Sequence, residues 1–86
     1  MRFARVTVAY QLLQHVHVST STLSLPKHWR VVMTQTSFQP AYVNKVHLHG
    51  PTHNKHFAAH LAEQWIRRLE DVRIVHMSHV DVRAEE

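Results

Sequence analysis

Hydrophobic positions between about residues 52 and 69 recur with the spacing of an α-helix. Phe57, Leu61, Trp65 and Leu69 lie four residues apart, and the apolar residues beside them are Ala58, Ala62 and Ile66. At about 100° per residue, this spacing gathers them on one broad face. An isolated helix of this length is marginal in water, so the face must pack against other elements. Trp65 is the predicted core anchor, and its indole N–H needs a hydrogen-bond partner.

The residues before this helix alternate between polar and apolar, which predicts a β-strand over about 42–49. Its apolar set is Tyr42, Val46 and Leu48, and the opposite face carries Val43, Lys45, His47 and His49. Gly50 and Pro51 are predicted to end the strand. Thr52 is then the predicted helix N-cap.

Alternation with period two predicts further strands at 2–10, 12–20, 28–38 and 72–82. In the first of them, the side chains of Ala4, Val6, Val8 and Tyr10 point one way, and those of Phe3, Arg5, Thr7 and Ala9 the other. The last strand has apolar residues on both faces, which predicts a central position in the sheet.

Together these elements predict one α+β domain over residues 1–86. It has two layers: a mostly antiparallel sheet of four to five strands, with the helix over about 52–69 packed on one face. Segment 19–27, rich in Ser and Thr, is predicted to be a flexible loop, and residues 83–86 a frayed tail. The helical connection would allow the strands on either side of it to pair in parallel.

Composition excludes several kinds of site. The 86 residues include no cysteine and only one glycine, so disulfides, thiolate chemistry and glycine-rich phosphate loops are absent. No apolar run is long enough to span a bilayer, and we expect neither membrane association nor a cofactor. A cytoplasmic location is expected. Arg2 and Arg5 in an acid-free N-terminus make a mitochondrial location the alternative, although the alternation there is not that of an amphipathic helix.

Charge is distributed unevenly along the chain. Residues 1–62 hold six Lys or Arg and no acid, whereas residues 63–86 hold four Arg and six acids. The two parts carry +6 and −2, which sum to the net charge of +4. Cations clustered without counter-charges attract phosphate and release its counterions, so the asymmetry indicates a polyanionic partner.

One helix covers only one face of such a sheet, so the other face must meet solvent or a partner. The sequence predicts a non-catalytic module that binds nucleic acid through that face, RNA rather than DNA, as part of a ribonucleoprotein. The predicted contact residues are Arg5, Arg30, Lys45, Lys55, His47 and His49. His15 and His17 are candidates for the same face, and the acidic end, 70–86, is expected to point away or to meet a protein. The glycine- and aromatic-rich signature of RRM domains is not present.

Two other kinds of binding remain open. The uncovered face could instead serve a small adaptor or inhibitor of another protein, such as a phage-encoded or accessory regulator, or form a homodimer. A divalent metal is the second alternative, because His15 and His17 alternate along a predicted strand, as do His47 and His49. His56 and His60 lie one helical turn apart. Two imidazoles supply half of a typical zinc site.

An enzymatic alternative comes from two short motifs. His17-Val18-Ser19 and His76-Met77-Ser78 resemble the paired H-x-[ST] motif of the 2H phosphoesterases. In that family the two histidines act as acid and base and the hydroxyls hold the phosphate. The resemblance therefore implies a phosphoesterase with His17 and His76 as its catalytic pair, although it covers six residues only.

Overall fold

A computed structural model describes residues 2–34 and 43–85, except for the side chain of Met77. These residues form β1 (Phe3–Leu12), β2 (Arg30–Thr34), β3 (Val43–Pro51), α1 (Lys55–Asp71) and β4 (Val75–Glu85). The sheet is antiparallel, with strand order β2-β3-β1-β4, and α1 packs against it. The predicted α+β fold is confirmed. Positions 35–38 of the predicted third strand, and Tyr42, lie outside the described residues.

The strict alternation along β1 decides the core. Alternate side chains of this strand are fully or almost fully buried: Ala4, Val6, Val8, Tyr10 and Leu12. Val46 and Leu48 of β3 are buried beside them, as the alternation in both strands predicts. β1 and β3 are therefore the two central strands.

The helix buries most of the predicted apolar arc, but not Phe57. Its buried residues are Ala58, Ala62, Trp65 and Ile66, whereas Phe57 is 56% exposed. The two small alanines allow the helix backbone to approach the sheet closely, so the buried arc is centred one residue further along. The anchoring role of Trp65 is confirmed, because its side chain is buried and its N–H donates to Thr22 Oγ1 at 3.2 Å.

The predicted break at Gly50 and the predicted cap at Thr52 are both wrong. β3 continues through Gly50 to Pro51, which is opposite Phe3, the first residue of β1. A 3₁₀ turn, Thr52–Asn54, separates the strand from α1, and neither helical segment has a side-chain N-cap bond. Continued pairing with β1 overrides the local turn signal.

The predicted second strand, 12–20, does not form beyond the end of β1. Residues 13–29 are irregular, and Val18 and Leu23 are buried in the core together with Trp29. The apolar residues of this segment cover the core instead of extending the sheet. Segment 19–27 contains no strand, as predicted, and its flexibility stays a prediction.

Among the described strands β4 lies at the edge of the sheet, so the predicted central position is wrong. The β1–β4 register shifts between Ala9 and Gln11, and this bulge brings Val75, Val80 and Val82 to the same inner side. The sequence alternation alone had divided these apolar residues between two faces. β4 also continues beyond the predicted end at Val82 to Glu85, which is opposite Phe3, and the predicted fraying of the tail stays a prediction. Glu86 lies outside the described residues.

The strands on either side of the helix do not pair with each other. β3 and β4 are each antiparallel to β1, so they run in the same direction with β1 between them. The parallel pairing that the helical connection would allow does not occur, because the N-terminal strand inserts between the two strands.

Candidate nucleic-acid interface

The sheet face opposite α1, termed here the open face, carries alternate residues of all four strands. Strand alternation and register assign its polar members among the described residues: Arg5, Thr7, Gln11, Arg30, Lys45, His47, His49, His76, His79, Asp81, Arg83 and Glu85. Cations and imidazoles outnumber carboxylates on this face.

Four of these residues form one line across the sheet, the cation row. Arg30 is opposite His49, His49 is opposite Arg5, and Arg5 is opposite Arg83. Neighbouring strands lie about 4.8 Å apart, so the row extends over roughly 14 Å. Like charges directly opposite one another destabilise a sheet, so this row costs the fold some stability.

A bulge in β2 adds to the open face. The β2–β3 register shifts between Val31 and Met33, so Val31 is opposite the inner residue Leu48 and Met33 is opposite His47. Simple alternation along the predicted strand 28–38 places Met33 on the same face as Val31, and the structure shows that this assignment is wrong. The shift places the thioether of Met33 beside the imidazoles on the open face.

Two acids of the C-terminal region lie on the open face as well. Glu85 lies 2.7 Å from Nε2 of His49 and 3.4 Å from Nε of Arg5, and Asp81 lies 2.8 Å from Nε of Arg83. The expectation that the whole acidic end points away is therefore wrong. The open face carries four positive charges, from Arg5, Arg30, Lys45 and Arg83, and two negative charges, from Asp81 and Glu85. Its net charge is therefore +2 when the histidines are neutral.

Short-range contacts orient the two histidines of β3. The His47 ring contacts Thr7 through its Nδ1 and the hydroxyl Oγ1, 3.0 Å apart. The His49 ring is stacked with Phe3, with ring centroids 5.1 Å apart and planes 20° from parallel. Burial and then the charges of Arg5 and Lys45 lower the pKa of His47, and Glu85 partly opposes them.

A concavity of about 220 Å³ lies on the open face. It is lined by Arg5, Arg30, Val32, Met33, His47, His49 and Glu85. Four of the six predicted nucleic-acid residues thus come together in one place. Lys45 lies two positions from His47 on the same strand face. Lys55 starts α1, on the other side of the sheet, and the structure does not bring it to this group.

The other candidate residues do not assemble in the same way. His15 and His17 are exposed in the irregular segment, and His56 and His60 are exposed on α1. Across residues 2–34 and 43–85, no group of three or more potential metal ligands comes together.

The two H-x-S motifs do not share one geometry. His17 is not part of a strand. His76 is opposite Gln11 on the open face, whereas the hydroxyl of Ser78 donates to Glu70 Oε1 of α1 at 2.6 Å. The bulge in the β1–β4 pair divides His76 and Ser78 between the two faces of the sheet.

The sequence predictions omitted Phe3, His79 and Arg83 from the binding face. Phe3 has the same parity as Arg5 in the alternation of β1, which is a signal for the open face. Val80 and Val82 face the core, so the alternation along β4 likewise assigns His79 and Arg83 to the opposite side. Arg83 was overlooked because the strand was predicted to end before it.

Within the described part of the chain, no helix has the length and apolar character that crossing a membrane requires. Comparison with protein-family models, curated proteins and solved structures finds no match. Any functional conclusion therefore depends on the geometry and charge of the open face.

Proposed function

We propose that this protein is a non-catalytic module that binds single-stranded nucleic acid, RNA in particular, along the open face. The observation that carries the proposal is the cation row, in which Arg30, His49, Arg5 and Arg83 are consecutive across four strands. An extended strand of nucleic acid presents its phosphates in a line, and a line of cations is the complementary surface.

The rings on the same face support a single-stranded ligand. Phe3 is 41% exposed and stacks with His49, an inner member of the row. Aromatic rings and imidazoles bind unpaired bases by stacking, at about 1–3 kcal/mol per base. Bases in a duplex are already stacked on each other and do not offer this contact.

Two cations of this face are available for phosphate. Among residues 2–34 and 43–85, neither Arg30 nor Lys45 has a carboxylate within ion-pair distance. Arg5 and Arg83, in contrast, each have an acidic neighbour. The guanidinium of Arg30 is suited to a bidentate contact with a phosphate.

The test is fluorescence anisotropy of a labelled single-stranded RNA oligonucleotide over a range of salt concentrations. We expect wild-type affinity to fall steeply with salt, and Arg30→Gln to reduce the logarithmic salt slope by about 0.7, the value for one phosphate on a single strand. Arg67→Gln, an exposed arginine on α1, is the matched control and should leave the slope unchanged.

Equal effects of Arg30→Gln and Arg67→Gln would contradict the proposal, because they would mean that net charge matters and the open face does not. Binding of a duplex of the same length as tightly as the single strand would contradict the role assigned to Phe3. Absence of salt-dependent binding to any oligonucleotide would overturn nucleic-acid binding altogether.

Binding of another protein is the second candidate, and exposed apolar residues favour it. Val32 is 58%, Met33 48% and Val43 63% exposed, and all three accompany the cations on the open face. Desolvation of such residues drives protein association with little dependence on salt. Salt-tolerant binding that Val32→Ser and Val43→Ser abolish would favour this candidate over nucleic acid.

A further inference from the structure

The carboxylate of Glu85 occupies the middle of the cation row. It extends from β4 past the position of Phe3 to His49 on β3, two strands away, with Oε2 2.7 Å from Nε2 of the imidazole. Its other oxygen faces Nε of Arg5. A carboxylate in this position makes the contacts that an anionic ligand would make.

The contact with Arg5 is incomplete. At 3.4 Å, the Glu85 oxygen is within ion-pair range of Arg5 Nε but forms no hydrogen bond with it. This Nε is buried, and within the described residues it has no hydrogen-bond partner. A buried guanidinium donor without an acceptor is costly, and an added ligand oxygen would remove that cost.

The space beside these donors is large enough for a ligand group. The concavity of about 220 Å³ is several times the roughly 30 Å³ that one water occupies in the liquid. Arg5, Arg30 and Glu85 lining it sum to +1, and without the Glu85 charge they would sum to +2. Guanidinium groups match the oxygens of a phosphate in bidentate geometry.

We propose that this concavity is a discrete phosphate site, and that the Glu85 carboxylate holds its donors until a phosphate of the bound nucleic acid displaces it. This inference rests on the proposed function, since it names the position of one phosphate on the open face. In the free protein, Glu85 offsets the repulsion within the cation row. In the complex, the phosphate replaces the carboxylate as the partner of Arg5 and His49, and the carboxylate turns to solvent.

The experiment compares Glu85→Gln with Glu63→Gln, since each substitution raises the net charge by one. Glu63 is exposed on α1, remote from the concavity. We expect Glu85→Gln to tighten binding of a labelled single-stranded RNA about tenfold, as removal of a competing charge-assisted contact implies, and Glu63→Gln to change it less than twofold. Thermal unfolding of both variants establishes that they remain folded.

Equal gains for the two variants would overturn the inference while leaving nucleic-acid binding intact. A second arm uses inorganic phosphate as the probe, followed by NMR of the His49 ring and the Arg5 Nε–H. Phosphate should shift both signals in Glu85→Gln at lower concentration than in the wild type. If it does so although no variant binds RNA, the phosphate site stands and the proposed function fails. If phosphate shifts neither signal in Glu85→Gln, the site itself is overturned.

Discussion

The indole ring of Trp29 lies directly against Gly50, on the inner side of the sheet. A Cβ atom added at position 50 would overlap the ring atoms of Trp29. The indole N–H donates to Asn54 Oδ1, which holds the ring over the end of β3. Gly50 does not have a positive φ, so the glycine is required for close approach and not for backbone conformation.

Gly50→Ala should therefore destabilise the protein. In an ordinary strand this substitution would be neutral or favourable, but here the methyl group forces Trp29 out of its site, at a cost of about 2 kcal/mol. Urea denaturation measures the change in the free energy of unfolding. In a Trp29→Leu background the same substitution should cost much less. An unchanged or raised stability of Gly50→Ala alone would show that the indole does not occupy this position.

Arg73 occupies a left-handed backbone conformation, with φ of 58°, just after the C-terminus of α1. The backbone N–H of Arg73 donates to the carbonyl of Glu70, and the backbone N–H of Ile74 donates to the carbonyl of Leu69. These two hydrogen bonds form a Schellman motif, in which the residue at the position of Arg73 is usually glycine. We expect Arg73→Gly to raise the free energy of unfolding by about 1 kcal/mol.

The matched control for Arg73→Gly is Arg67→Gly, which removes the same charge from an exposed helical position. It should lower stability by about 1 kcal/mol, because glycine is a poor helix former. Thermal unfolding should thus separate the two variants in opposite directions. A destabilised Arg73→Gly would indicate that the arginine side chain makes a contact worth more than the backbone strain.

Thr22 connects the irregular segment to the helix by accepting the hydrogen bond from Trp65 Nε1. Thr22→Val removes the acceptor with little change in shape, so stability should fall by about 1 kcal/mol. Hydrogen exchange of the Trp65 indole N–H, followed by NMR, should accelerate. Thr20→Val is the control and should change neither quantity. Exchange in the wild type as fast as in Thr22→Val would support the predicted flexibility of 19–27.

The lowered pKa of His47 has a consequence for stability. Burial, together with Arg5 and Lys45, disfavours the charged ring in the folded state, and Glu85 partly opposes this. Below the unfolded-state value of about 6.5, the unfolded chain therefore binds more protons at this residue than the folded chain does. The contribution of His47 to stability is full above about pH 6.5 and declines as pH falls through that value toward the folded pKa.

Urea denaturation at several pH values between about 7.5 and 5.5 tests this contribution. His47→Gln should lose stability less steeply on acidification than the wild type does. His60→Gln, on the exposed face of α1, should follow the wild-type slope. Parallel curves for all three proteins would contradict a pKa shift at His47.

Acidification should strengthen nucleic-acid binding, whereas it lowers the contribution of His47 to folding stability. A phosphate beside His47 favours the charged ring, so binding is coupled to proton uptake, and RNA affinity should rise between about pH 7.5 and pH 6. The groups that share this environment are Arg5, Arg30, Lys45, His49 and Glu85. His47→Gln should reduce the pH dependence measured by anisotropy. Affinity that is constant or lower at pH 6 would argue against a histidine-lined binding face.

The sequence by itself determined the elements in which one local period extends over many residues. The alternation in β1 identifies both the buried residues of this strand and those on the open face. The helical spacing around Trp65 identifies the core anchor. Both are readable from the sequence because burial of one face of a strand or helix imposes its period on the sequence directly. Arg5, Lys45, His47 and His49 were assigned to the sheet surface by the same reasoning. Phe57 shows the limit: neighbouring arcs of a helix differ by a small rotation, and packing against the sheet selects one of them.

Only the tertiary structure decided which strands are neighbours, and the composition of the candidate site depends on that. The insertion of β1 between β3 and β4 brings Arg5 opposite His49 on one side and Arg83 on the other. Two bulges change the faces of Met33 and Val75, and pairing with Phe3 keeps Glu85 in the sheet. Strand order and bulges are set by long-range pairing and by the volume to be filled beneath α1. A local pattern of residues does not encode these quantities, so the contact between Glu85 and the cation row emerges only in the folded chain.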